Sequence, residues 1–106
     1  GYTSGTANAK TLTLMFGATS VSTLGFTINE ACYWRASMII VRNASAVQLY
    51  YGETDYRYSG GRAPEPSYET GGATEDETTA IVIKATAQGT DDNDIVQNGM
   101  LVEFIN

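Results

Sequence analysis

Tyrosine and arginine residues cluster in the middle of the chain, between positions 50 and 68. A tyrosine offers an apolar face to a sugar ring or a protein surface, and its hydroxyl can hydrogen-bond at the rim of such a contact. The sequence therefore predicts a contact surface for a glycan, a receptor or another subunit. Its candidate residues are Tyr50, Tyr56, Arg57, Tyr58, Arg62 and Tyr68. The alternative is that Tyr51 faces the core while the other tyrosines brace a long loop against a sheet.

Acidic residues stand in two runs. Asp91, Asp92 and Asp94 form the first run, and their oxygens are the ligand type that calcium prefers. The run lacks the alternate spacing and distal glutamate of an EF-hand, and consecutive residues cannot all point at one ion. The alternative is a solvated turn, because Asp and Asn tolerate left-handed backbone. We therefore predict no metal site, with these aspartates as weak calcium candidates and the run at 75–77 weaker still.

The absence of histidine removes most Cys–His and Ser–His catalytic chemistry. The chain has no histidine and a single cysteine, Cys32, which we expect to be a small buried apolar residue. A glycosidase-like pair of carboxylates would require a separation that the sequence does not fix. The sequence therefore predicts a protein that is not an enzyme, with no catalytic residue and no cofactor.

The net charge of −6 disfavours two classes of partner. Phosphate backbones repel such a surface, so we expect no nucleic acid, and anionic membranes are disfavoured for the same reason. No apolar run approaches the roughly 20 residues that span a bilayer. The 106 residues are predicted to form one domain, 1–106. A chain that opens with Gly1 is expected to be a processed product, a fragment or the ordered part of something longer.

Apolar residues alternate with period two in most of the chain. This pattern predicts strands at 11–16, 20–28 (broken near Gly25), 32–42, 46–51, 78–87 and in the closing stretch 94–106. Turns are predicted at 43–44 and 89–93. The stretch from 52 to 77 holds five glycines and both prolines and is predicted to be one long loop.

Six short strands without a helix signal predict an all-β fold, an antiparallel β-sandwich of jelly-roll type. The predicted core consists of Leu12, Leu14, Phe16, Trp34, Ala36, Met38, Ile40, Leu49, Ile81, Ile83, Met100, Val102 and Phe104. In the longest strand one face carries no charge from Cys32 to Ile40, whereas the other face combines Arg35 with Ile39 and Val41. An outer face that is only partly polar suggests cover by a partner chain. We therefore expect a closed homo-oligomer, most simply a trimer.

Three segments, in this order, carry a resemblance to a known family. Segment 5–17 contains the pattern K-T-x-x-L-x-F-G. Segment 33–42 contains the pattern W-x-x-x-x-x-x-x-R, from Trp34 to Arg42. Segment 93–104 begins N-D-I-V and ends L-V-E-F. Together they resemble a jelly-roll-like β-domain of tailed-bacteriophage structural proteins. The family usually has further strands upstream of the first segment, which are either lost here, supplied by another chain or part of a longer polypeptide.

The resemblance implies a virion component, such as a capsid-decorating protein, a head fibre or a tail-fibre domain, often trimeric. Its implied partners are further copies of itself and other virion proteins such as the major capsid protein, and its implied location is the particle surface. We expect a non-enzymatic structural protein that stabilises the particle through oligomeric contacts. The alternative is a carbohydrate- or host-receptor-binding module that uses the tyrosine-rich segment.

Overall fold

The computed structural model describes residues 1–27, 29–58 and 66–105. Eight strands form within these ranges, and none of the described residues lies in a helix, so none belongs to a helix that could cross a membrane. The strands are β1 (Tyr2–Thr3), β2 (Ala9–Phe16), β3 (Thr19–Thr27), β4 (Cys32–Ala44), β5 (Val47–Tyr58), β6 (Ser67–Ala73), β7 (Ile83–Gln88) and β8 (Ile95–Val96).

The strands form two antiparallel sheets. One sheet has five strands in the order β6-β5-β4-β1-β8, and the other has three in the order β3-β2-β7. The pairings are nested, because the first strand pairs with the last and the second pairs with the last but one. The predicted all-β antiparallel sandwich is confirmed, with the strands divided five to three.

The core lies between the two sheets in two neighbouring clusters. Leu12 and Leu24 pack with Trp34 and Tyr56 in the first cluster, and Phe16, Val21 and Ala73 form the second. The predicted core residues Leu12, Leu14, Phe16 and Trp34 are buried. Half-buried residues packed against the clusters include the predicted Ala36, Met38, Ile40, Ile81 and Ile83.

A bulge in the β2–β3 ladder shapes the second cluster. The pairing shifts between Leu14 and Met15, so that Val21 of β3 has no directly opposite residue. At such a bulge, two consecutive side chains can point to the same side of the sheet. Val21 and Ser22 are both fully buried as a result.

The stretch predicted as a long loop, 52–77, is largely a β-hairpin, so that prediction was wrong. β5 pairs with β4 along its whole length, from Ala44 opposite Val47 to Cys32 opposite Tyr58. β6 then pairs with β5 from Ser67 to Ala73. The 13-residue strand β4 offers a template long enough to keep β5 extended, and its backbone pairing outweighs the glycines and charges of the segment.

The inward face of β5 is the opposite of the one predicted. A turn at 43–44 would place Leu49 beside Met38 on the core side. The turn instead lies at 45–46, and the register pairs Val41 with Leu49 and Met38 with Gly52. Because an odd shift in register reverses the face of every side chain, Leu49 and Tyr51 point outward.

The closing stretch does not form the predicted buried strand. β8 covers only Ile95 and Val96, and it pairs with the two-residue strand β1. Residues 97–105 are not in a strand, and Met100, Val102 and Phe104 are exposed, so their assignment to the core was wrong. A strand needs a paired neighbour, and the described residues supply none beyond β1.

Candidate functional site

The outer face of the five-stranded sheet carries a group of exposed apolar side chains. The three-stranded sheet covers only the other face, so these side chains meet solvent. Five of them are between 38% and 63% exposed, and we call them the outer patch: Ile39, Val41, Leu49, Tyr51 and Tyr68.

The register of the sheet holds the outer patch in a fixed arrangement. Ile39 lies opposite Tyr51, and Val41 lies opposite Leu49. Tyr68 of the next strand lies diagonally from Tyr51, and the two rings stack with their centroids 6.2 Å apart. Cross-strand neighbours of this kind support one another, so the patch is a rigid surface.

A row of charged residues borders the outer patch. Arg35 Nη2 lies 2.8 Å from Asp55 Oδ2 and 3.6 Å from Glu53 Oε1. Beyond this row, Tyr2 and Tyr33 lie opposite each other on the same face and are also exposed. The face therefore alternates between an apolar area, a charged row and an aromatic pair.

The surroundings of the central phenol favour its neutral form. Desolvation raises the pKa of the Tyr51 hydroxyl, and the nearby Glu53 carboxylate and Tyr68 raise it further. A neutral phenol donates a hydrogen bond at the rim of an apolar contact without adding charge. The patch is consequently suited to burial against another apolar surface.

The six residues of the predicted contact surface do not share one face. Tyr56 is only 7% exposed, lies in the first core cluster and stacks on Phe26 with centroids 5.3 Å apart. Tyr58 packs edge-on against Tyr56, again at 5.3 Å. Tyr50 packs against the second cluster and lies over Gly71, where a β-carbon would come within 2.5 Å of the Tyr50 hydroxyl oxygen.

The remaining predicted residues divide between the outer face and the undescribed part of the chain. Tyr68 belongs to the outer patch. Arg57 is exposed on the same face, opposite Tyr33. Arg62 lies outside the described residues. Of the predicted set, Tyr68 and Arg57 are therefore exposed on this face, which also carries Tyr51 and Tyr33.

The acidic turn holds a hydrogen-bonded carboxylate at its end. Asp94 is 2% exposed, and one of its carboxylate oxygens accepts hydrogen bonds from the hydroxyls of Ser4 and Thr6, at 2.5 and 2.8 Å. The other oxygen accepts from the backbone N–H groups of Thr90 and Asp91, each at 3.0 Å. These bonds, led by that from Ser4, lower the pKa of Asp94 well below its usual range.

These contacts explain what the calcium candidates do in this structure. The Asp94 oxygens already accept bonds from the chain, and Asp91 accepts a bond of 2.7 Å from the Asn8 amide. No group of three or more His, Cys, Asp or Glu residues is arranged around a common point in the described ranges. The hydrogen bonds of Asp91 and Asp94 therefore hold segment 4–8 against the turn that follows β7.

A buried lysine holds the same segment through its backbone carbonyl groups. Lys10 is 1% exposed, and its ammonium donates to the carbonyl oxygens of Thr6 and Asn8, at 2.8 and 3.1 Å. A buried ammonium requires such acceptors to offset its lost hydration. Lys10 and Asp94 thus fix segment 4–8 from two sides. The partners of Asp94 in this segment are too distant in the sequence for spacing to reveal them.

Two members of the outer patch differ from the sequence-based prediction. The alternation predicts Leu49 in the core and offers Tyr51 as a candidate for it, but both belong to the outer patch. Ile39 and Val41 were expected on an outer face, and the structure places them there. The missing signal was the register of the β4–β5 hairpin, which decides the face of every residue in β5.

Comparison with known proteins gives no relative. No family model, curated protein or solved structure matches the chain.

Proposed function

We propose that this protein is a non-enzymatic structural domain that acts by associating with copies of itself. The observation that carries the proposal is the outer patch. Ile39 and Val41 of one strand and Leu49 and Tyr51 of the next form a contiguous apolar surface on a rigid sheet. Contiguous exposed apolar surfaces in soluble domains mark interaction sites.

Self-association fits the shape of this face better than binding of a small ligand. Ligand pockets are concave and enclose most of their ligand. The outer patch is a sheet surface, bordered by the ion pair of Arg35 with Asp55. An apolar centre with a polar border is the pattern of a protein–protein interface. A closed homo-oligomer, a trimer in our proposal, would cover this face on every copy.

The setting on a virus particle rests on the resemblance of the three ordered segments to tailed-bacteriophage structural domains. In that setting the domain would decorate a capsid or form part of a fibre, and the major capsid protein would be a further partner. The location on the particle surface belongs to the same proposal.

Sedimentation equilibrium and native mass measurement test the self-association. We expect the full chain to form a discrete oligomer whose population falls when Ile39 and Leu49 are both replaced by serine. Val82→Ser is the matched control, because Val82 is 60% exposed and lies outside the five-stranded sheet. A monomer at all accessible concentrations, or equal effects of the patch and control variants, would overturn the proposal.

A second candidate function is recognition of a host-surface glycan or receptor. The stacked pair of Tyr51 and Tyr68 supports it, because the pair exposes aromatic faces beside the Glu53 carboxylate. An aromatic face with an adjacent hydrogen-bond acceptor suits a sugar ring. A glycan array with the full chain and with Tyr68→Ala tests this function. Binding that survives Tyr68→Ala unchanged would exclude the pair as the site.

A further inference from the structure

Asn98 is followed by Gly99, and this is the single Asn–Gly pair in the sequence. The side-chain amide carbon of an asparagine and the next backbone nitrogen can close a five-membered ring. A β-carbon on the next residue crowds that nitrogen and narrows its backbone conformations, whereas glycine leaves both unrestricted. Four other asparagines precede residues that have a β-carbon, namely Asn8, Asn29, Asn43 and Asn93.

The structure places little restraint on the Asn98–Gly99 pair. Both residues are exposed and lie outside every strand, after the end of β8. Neither the Asn98 side chain nor the Gly99 N–H group makes a hydrogen bond with a described residue. The Gln97 amide donates to the Gly99 carbonyl oxygen, at 3.4 Å, and this bond does not involve the nitrogen. Both reacting groups are therefore available.

The space around Gly99 is also open. A β-carbon built at this position meets no atom within 4 Å. Glycine therefore reaches the backbone conformations that bring its nitrogen toward the Asn98 amide carbon. Because both reactants belong to one chain, the step is unimolecular, which raises its rate by several orders of magnitude over an encounter between separate molecules.

Hydrogen bonds restrain two of the other asparagines. The Asn8 amide donates to Asp91 Oδ2 at 2.7 Å and to Asp94 Oδ2 at 3.3 Å, which fixes its side chain. After Asn93, the N–H group of Asp94 donates to the Asp91 carbonyl oxygen at 3.2 Å. A nitrogen that donates such a bond is held in place with its proton, so neither asparagine has the freedom of Asn98.

The remaining two asparagines differ from Asn98 in backbone or in neighbour. Asn43 lies in β4, and Ala44 after it pairs with Val47. In a strand the side chain stands out of the sheet, whereas the next nitrogen lies within it. Asn29 is exposed and outside a strand, but its neighbour is Glu30, which has a β-carbon. Asn29 is therefore the internal comparison for the effect of Gly99.

We propose that Asn98 is a site of spontaneous deamidation, with Gly99 supplying the nucleophile. The Gly99 nitrogen loses its proton to hydroxide and attacks the Asn98 amide carbon, Cγ. The N–Cγ bond forms, the Cγ–Nδ2 bond breaks, and the amide nitrogen takes a proton from water and leaves as ammonia. Water then opens the cyclic imide at either of its two carbonyl carbons. The products are aspartate and isoaspartate at position 98, without oxidation or reduction.

The modification changes the charge and the backbone of residues 97–105. These residues carry one charged side chain, Glu103. Either product adds a carboxylate that is ionised at neutral pH. In isoaspartate the chain runs through the former side chain and is one carbon longer, so the alternation of the following apolar residues is displaced. The reaction consumes only water, so it proceeds in the purified protein.

Peptide mapping by mass spectrometry tests the proposal on the full chain. The protein is held at neutral pH and physiological temperature, and deamidation of each asparagine is followed with time. Methylation by an isoaspartate-specific carboxyl methyltransferase, with a labelled methyl donor, identifies isoaspartate. We expect Asn98 to react at least about tenfold faster than Asn29, which corresponds to a barrier lower by about 1.4 kcal/mol. Equal rates at the two asparagines would overturn the proposal.

Gly99→Ala tests the role of the glycine, because the added β-carbon enters open space and should leave the fold unchanged. We expect this variant to slow the modification of Asn98 at least about tenfold. Gly72→Ala is the matched control, since its β-carbon also has room and it should leave the rate unchanged. Circular dichroism of both variants checks the fold. The same rate in the parent and in Gly99→Ala would refute the attack by the Gly99 nitrogen.

The chain unfolded in urea gives the rate without structure. We expect Asn98 to react at a similar rate before and after unfolding, whereas Asn8 should react faster once its hydrogen bonds are lost. A folded protein in which Asn98 reacts at least about tenfold more slowly than in urea would overturn the proposal, because the fold would then shield the pair. Asn98→Gln should remove the acidic form seen on isoelectric focusing. An acidic form that persists in this variant would place the modification elsewhere.

Discussion

The two faces of the β4–β5 hairpin are made of the same two strands and similar residues. On the inner face Trp34 lies opposite Tyr56, and both are covered by the three-stranded sheet. On the outer face Ile39 lies opposite Tyr51, and both are exposed. Residue type does not separate the faces. What separates them is which face the second sheet covers, so stability should depend on the inner face and association on the outer face.

The largest difference between the faces should come from two neighbouring aromatic residues. We expect Trp34→Ala to lower the free energy of unfolding by about 3–5 kcal/mol, because it empties a buried site. Tyr33→Ala, one residue away on the outer face and 67% exposed before substitution, should change it by about 0.5 kcal/mol or less. Urea unfolding followed by circular dichroism measures both. Tryptophan fluorescence would not serve, because Trp34 is the only tryptophan and one variant removes it. Similar losses would contradict the assignment of the faces.

The contrast between covered and uncovered side chains extends to two aspartates of one turn. Asp94 is buried and its carboxylate accepts several hydrogen bonds, whereas Asp92 is exposed. The pKa of Asp94 is lower in the folded protein than in the unfolded chain. The Asp94 carboxylate therefore stabilises the fold fully above the pKa of about 4 that it has in the unfolded chain. This stabilisation is lost as the pH falls through the lower pKa of the folded protein.

We expect Asp94→Asn to destabilise the protein at pH 7, by less than Trp34→Ala does. As the pH falls below 4, the free energy of unfolding should also decrease less for the variant than for the parent protein. Thermal unfolding at a series of pH values measures both effects, with Asp92→Asn as the control. Identical pH profiles for the parent and Asp94→Asn would mean that the hydrogen bonds to Asp94 do not hold segment 4–8.

Two glycines on opposite faces give a smaller and more local comparison. A β-carbon at Gly52, on the inner face, would lie 2.5 Å from the Val21 carbonyl oxygen and 2.8 Å from the Ser22 β-carbon. At Gly72, opposite Leu49 on the outer face, the nearest atom would be the Gln48 carbonyl oxygen at 3.7 Å. The first contact is too close for a strand to accommodate without moving, and the second is ordinary.

We expect Gly52→Ala to cost about 1–3 kcal/mol, because the two sheets must separate locally. Gly72→Ala should be neutral or stabilise by up to about 1 kcal/mol, because alanine has less freedom to lose in a strand. Chemical denaturation of both variants checks the pair. A loss at Gly72 equal to that at Gly52 would show that the outer backbone is as constrained as the inner one.

The sequence alone was sufficient where local alternation and an adjacent hairpin agree. Leu12, Leu14 and Phe16 alternate in a strand that pairs with its neighbour through a short turn, and all three are in the core. Leu49 failed because the face of β5 depends on where the turn lies. A turn two residues later, with a register shift beside Asn43, reversed the predicted face.

Residues 97–105 and the polar network around Asp94 show two further limits. Residues 100–104 alternate as clearly as the buried strand β2, because periodicity reports what a strand could bury and not whether a neighbour is present. The contacts of Asp94 with Ser4 and Thr6 join positions about 90 residues apart, and one sequence contains no signal for such a pairing. Of the outer patch, Ile39, Val41 and Tyr68 were therefore predictable as surface residues, whereas Leu49 and Tyr51 were not.

The smallest effect is expected at the ion pair that borders the outer patch. Arg35 approaches Asp55 at 2.8 Å, but the arginine side chain is 69% exposed. Solvent screens such a pair, and holding both side chains in place costs entropy, so we expect Arg35→Ala to lower the free energy of unfolding by no more than about 1 kcal/mol. Arg57→Ala is the control, since Arg57 lies on the same face and has no ion pair in the described structure.

Urea unfolding at low and at about 1 M salt distinguishes the two arginine variants, because screening should abolish the difference between them. A loss of several kcal/mol that salt does not reduce would mean that the Arg35–Asp55 pair is desolvated within one copy. A small, salt-sensitive loss would mean that the outer face contributes little to the fold of a single copy. Its apolar residues would then be free to stabilise an assembly without altering the monomer's own stability.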